Sequence, residues 1–178
     1  MPLMTRTRLG SAIGFALLLF LCVAGANAQS FDANLDPFQE VPPHNTPGYG
    51  SADATLSGAI LSIVVGTGSY TDLLAGATAV TLNDAAPGVN GPIIASLTLD
   101  TPGNTSGTFS GSATLTSAQI TDLLAGNTYI NIRDSVFPSG EIRGQVIATP
   151  EPSSVVLSAL AGLSVLASGL RRRKLLAA

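Results

Sequence analysis

The chain is poor in the residues that carry most protein chemistry. Its 178 residues include one cysteine, one histidine and no tryptophan. Cys22 lies inside an apolar run near the start, so no disulfide can staple the region that follows. One imidazole and no thiolate cannot build a copper or zinc centre, which needs several such ligands around one ion. A serine hydrolase needs a histidine-type base. His44 stands between Pro43 and Asn45 with no acid at a telling spacing, and it reads as a surface loop residue. No cofactor and no catalytic residue are expected, and a non-enzyme is the leading expectation.

Basic residues are equally scarce away from the ends. Between residues 29 and 149 only Arg133 and Arg143 are basic, against ten acids, a net charge of −8. Nucleic acid and anionic lipid are held by clusters of Lys and Arg, so no nucleic-acid partner is expected. Calcium needs only oxygen ligands, and Asp72, Asp122, Asp84 and Asp134 are candidates. The Asp-x-Asp-x-Asp-Gly calcium loop is absent, however. Asp72 and Asp122 read better as starts of short helices, where a carboxylate meets the positive end of the helix dipole. A calcium-stabilised adhesion module and an extracellular enzyme of unrecognised type stand as alternatives.

The two ends are a different material. Arg6 and Arg8 precede an apolar stretch, and Ala26-Asn27-Ala28 follows it. That order is a secretory signal, with cleavage by signal peptidase expected between Ala28 and Gln29. At the other end Pro150-Glu151-Pro152 precedes an apolar run over residues 155–170, then Arg171, Arg172, Arg173 and Lys174. As a helix that run covers about 24 Å, slightly short of a ~30 Å hydrocarbon core, and Ser153 and Ser154 can lengthen it. The basic cluster belongs on the cytoplasmic side, which puts the central region outside the inner membrane. The tail resembles the PEP-CTERM sorting signal, in which a Pro-Glu-Pro triplet, a short membrane helix and an Arg cluster form a handle for exosortase. The resemblance implies a Gram-negative exporter of exopolysaccharide, with the protein passing from inner membrane to cell surface or biofilm matrix. Exopolysaccharide is then an expected contact. The chain divides into a signal peptide (1–28), one domain (29–149) and a tail (150–178) with a transmembrane helix over about 154–170.

Between the ends the apolar period is two rather than 3.6. Residues 55–65, 78–82, 92–99, 108–115, 128–133 and 141–148 read as strands, and Gly/Pro-rich turns separate them. In the last, Ile142, Gly144 and Val146 share one face and Glu141, Arg143 and Gln145 the other, the pattern of a half-buried strand. Ion pairs with neighbouring strands are the expected role of Glu141 and Arg143. Thr71-Asp72-Leu73-Leu74-Ala75-Gly76 recurs fifty residues on as Thr121-Asp122-Leu123-Leu124-Ala125-Gly126. Two helix–strand–turn units are expected, with Ser117 and Thr121 as helix caps and Gly126 as the terminator. The expected fold is all-β: an antiparallel Greek-key sandwich or immunoglobulin-like barrel with short helical turns, plus hydrophobic helices at both termini.

Several motifs share one source. Gln39-Glu40-Val41-Pro42-Pro43, Pro87-Gly88-Val89-Asn90-Gly91-Pro92, Tyr129-Ile130-Asn131-Ile132 and Gly140-Glu141-Ile142-Arg143-Gly144-Gln145 resemble the CHRD domain. The resemblance implies an immunoglobulin-like or superoxide-dismutase-like β-fold and no settled activity. Many members carry histidines where this chain has Thr81-Leu82-Asn83 and Arg133-Asp134, so any metal site they form is lost here. What remains is an exported binding or structural module.

Overall fold

Alternation decides the first strand: Phe31, Ala33 and Leu35 point inward and are at most 2% exposed, while the residues between them face outward or lie partly covered. The same period of two builds the rest. The computed structural model describes residues 28–149 and residue 162. The strands are β1 (Gln29–Leu35), β2 (Tyr49–Ser57), β3 (Ile60–Thr71), β4 (Ala77–Asp84), β5 (Ile93–Leu99), β6 (Gly107–Thr114), β7 (Thr128–Asp134), β8 (Ile142–Gln145) and β9 (Ile147–Ala148). Within residues 28–149 a 3-10 turn covers Pro37–Gln39 and an α-helix, α1, covers Ser117–Leu124. The expected signal peptide up to residue 27, the Pro-Glu-Pro triplet, and the apolar run and basic cluster of the tail, apart from residue 162, lie outside the described residues. Among the described residues no helix is long and apolar enough to cross a membrane.

All pairings are antiparallel, in the order β8-β7-β4-β5-β6-β3-β2-β1-β9. Within it β3-β6-β5-β4 is a Greek-key arrangement. The sheet then closes on itself. Asp36, just beyond β1, exchanges both backbone hydrogen bonds with Arg143 of β8, at 3.0 and 3.1 Å. Residues 142–148 thus pair with β7 on one side and β1 on the other, which leaves fewer open edges for stray pairing. Phe109, Leu123, Ile130, Ile132 and Ile142 are fully buried at the centre.

Three expectations change. The β-prone run at 55–65, interrupted at Ser57-Gly58, divides there into two strands of a hairpin, with Ser57 paired to Ile60 across a two-residue turn at Gly58, whose φ is +60°. The repeat gives one helix rather than two. In the second copy Thr116, not Ser117, is the cap: its side chain accepts from Gln119 N, and the Gln119 side chain accepts from Thr116 N, a capping box. Asp122 lies in the last turn of α1 rather than at its start. The first copy has no such box. β3 runs straight into it, Asp72 takes a φ of +58°, and residues 72–76 form a loop. The strands after the two copies do match. β4 pairs with β7, and Thr81 lies opposite Asn131, its own counterpart fifty residues on. A local twofold therefore passes between those two residues.

The third change concerns β8. It is buried on both faces, with Ile142, Arg143, Gly144 and Gln145 all at 9% exposure or less. The polar face is roofed by loops, and that roof makes the site.

Candidate functional site

Glu141, Arg143 and Gln145 alternate along one face, with Glu141 meeting the loop at 72–76 and Arg143 and Gln145 the loop at 85–91. The Glu141 carboxylate accepts from Leu74 N with both oxygens at 3.0 Å. Beside it Asp134 accepts from Ala75 N at 2.9 Å and from Phe137 N. The two acids hold the first repeat copy as a loop through its own amides. That explains why this copy is not helical: carboxylates from distant strands supply the partners that a helix would have provided. Burial and the adjacent Asp134 push the Glu141 carboxyl up.

Arg143 grips the second loop. Its Nη1 donates to Val89 O at 2.9 Å, and its Nη2 to Ala86 O at 3.1 Å and to Gln145 Oε1 at 3.0 Å. The guanidinium carbon lies 3.5 Å from the Tyr129 ring centroid. These partners are carbonyls, an amide and a ring, rather than the ion pair expected for it. Burial pulls the guanidinium down, and Tyr129 and Glu40 oppose it. Gln145 Nε2 donates to Ala85 O at 3.0 Å and Gly126 O at 2.8 Å, tying both turns to the same strand. Around the loop, Gly91 N donates to Tyr129 Oη at 3.2 Å. A Cβ on Gly91 would overlap the Asp84 carbonyl, so the turn requires glycine there. Thr81 and Asn83 are buried and joined by a 2.7 Å hydrogen bond from Thr81 Oγ1 to Asn83 Oδ1.

Over this hub lies a cleft of about 320 Å³. Its walls are Phe38, Val41 and Pro43 on one side and Pro87 and Gly88 on the other, with Gln39, Glu40, Arg143 and Gln145 below. Asn90 Nδ2 donates to Val41 O at 2.9 Å and staples the two walls together. Asp36 caps the 3-10 turn, accepting from Phe38 N and Gln39 N. Glu40 is 4% exposed, and burial pushes its carboxyl up to about 7 despite Arg143 and Arg133 nearby.

The remaining sequence candidates scatter. His44 stacks on Phe137 with ring centroids 4.3 Å apart, a half-buried loop residue rather than a free surface one. Asp72 is exposed, Asp84 lies near Asp122, and Asp134 joins Glu141. Ala28 is exposed and Gln29 opens β1, whereas Ala26, Pro150, Glu151, Pro152, Arg171, Arg172, Arg173 and Lys174 lie outside the described residues. Glu40 and Asn131 were missed as site residues. Both stand in motifs visible in the sequence, but no pattern there says that an acid in a proline-rich turn is buried.

The architecture defines a closed antiparallel β-module whose loops are organised by one polar strand. The match to family models is specific: residues 31–146 fit the CHRD domain, and the chain belongs to that family. No curated protein and no solved structure matches it.

Proposed function

We propose that this CHRD protein is an exported, non-enzymatic binding or structural module of immunoglobulin-like build, sorted to the cell surface or exopolysaccharide matrix. One observation carries the reading. Among the described residues, β1 opens at Gln29, directly after the small-x-small segment, and Thr149, one residue before Pro150, donates its N–H to Ser30 O at 2.9 Å. Residues 30 and 149 therefore lie side by side, at the two bounds expected for a domain between a signal peptide and a sorting tail. The hub supports a structural role, because Glu141, Arg143 and Gln145 spend their hydrogen bonds on the protein's own loops.

The test is the intact mass of the native protein from culture medium, outer envelope and inner membrane. A released species starting at Gln29 and ending near Pro150 is expected after signal peptidase and exosortase processing. A species that keeps Arg171 to Ala178 and stays in the inner membrane overturns the sorting reading.

A further inference from the structure

Two oxygens buried beside Gly140 have no donor. Glu40 Oε1 and both polar atoms of the Asn131 side-chain amide come within 2.5 Å of the point that a Cβ on Gly140 would occupy, so the carboxyl and the amide share the one small space that glycine leaves open. Neither Glu40 Oε1 nor Asn131 Oδ1 has a hydrogen-bond partner, and their residues are 4% and 3% exposed. Turning the amide does not help. Asn131 Nδ2 donates to Ser139 O at 3.1 Å, and a flip would set oxygen against that carbonyl. Asn131 therefore presents an acceptor to Glu40. A carboxylate has nothing to give it, whereas a protonated carboxyl has one O–H.

We propose that Glu40 is a proton-carrying latch: its protonated carboxyl donates to Asn131 Oδ1 and pins residues 37–43 to β7, and loss of that proton to water releases the segment. Because those residues form one wall of the cleft, the latch governs the width of the cleft. The surroundings are countable. β8 contributes Arg143 and β7 Arg133, both drawing Glu40 toward the charged form. The turn at 138–140 and the loop at 85–91 carry no titratable side chain. On the segment itself, Asp36 is engaged as the cap and His44 packs on Phe137. Desolvation outweighs Arg143, the Val41 backbone N–H and Arg133, all of which favour the charged form, and places the proton's release near 7. The inference stands independently of where the protein is delivered.

The chain has three glutamates, at 40, 141 and 151, so ¹³C labelling of glutamate resolves each carboxyl in the full-length chain held in detergent micelles. Glu40 is expected to titrate near 7. In Glu40→Gln the amide donates to Asn131 Oδ1 at every pH, so the Tm difference between variant and wild type is expected to widen from pH 5 to pH 8. Amide exchange at residues 37–43 is expected to quicken over the same range in the wild type alone. A Glu40 midpoint near 4.5, as an ionised side chain bridged by water would give, overturns the latch. A Tm difference that stays constant with pH also overturns it. Should the variant fail to fold, the carbon titration decides.

Discussion

The guanidinium of Arg143 lies 3.5 Å over the ring of Tyr129, and the two side chains are 0% and 2% exposed. From that stack the arginine reaches Ala86 and Val89 while the tyrosine hydroxyl accepts from Gly91, so one contact organises the whole turn at 85–91.

Arg143→Lys should therefore be severe. An ammonium cannot reproduce a fork that serves two carbonyls and an amide at once. The expected loss is about 3 kcal/mol in urea unfolding, the scale for disturbing a buried charge and its partners. Tyr129→Phe keeps the ring and loses one hydrogen bond, about 1 kcal/mol. Equal losses in the two variants would refute the fork as the main element.

The pH dependence of stability follows from Glu141. Its carboxyl is raised from 4.5 by burial and by Asp134, so the folded state holds a proton that the unfolded chain has already released. The contribution of Glu141 to stability is then fully present below 4.5 and is lost as pH rises through the folded value, at up to about 1.4 kcal/mol per pH unit. Glu141→Gln retains an oxygen for Leu74 N and offers an N–H to Asp134. Its unfolding free energy should depend less steeply on pH than that of the wild type. An unchanged slope would assign the titration elsewhere.

The repeat offers a third test. Thr116→Ala removes the capping box of α1 and should cost about 1 kcal/mol, with faster amide exchange confined to Ser117–Leu124. Residues 72–76 should be untouched, since Glu141 and Asp134 hold them rather than any cap. Coupled loss of protection in both copies would contradict that separation.

Much of this was legible in order of residues alone. The period of two in residues 108–115 and their counterparts sets strand character locally, because successive side chains point to opposite faces, although β1 at Gln29–Leu35 is not among the expected strands. The glycines and prolines between them set the turns, and the fifty-residue repeat marked two matching strands, which the structure pairs as β4 and β7. Composition alone excluded disulfides and imidazole-rich metal centres.

What only tertiary structure decided is which polar residues lose water. Glu141, Arg143 and Gln145 look like the wet face of an ordinary strand, and identical Thr-Asp-Leu-Leu-Ala-Gly segments look like two helices. Burial is a property of what folds over a residue: here the loops at 72–76 and 85–91, which come from far along the chain. Once roofed, each polar group must find a partner in the protein. That requirement turned one repeat copy into a clamped loop, made Arg143 a hub instead of a surface charge, and left Glu40 facing an acceptor that only a proton can satisfy.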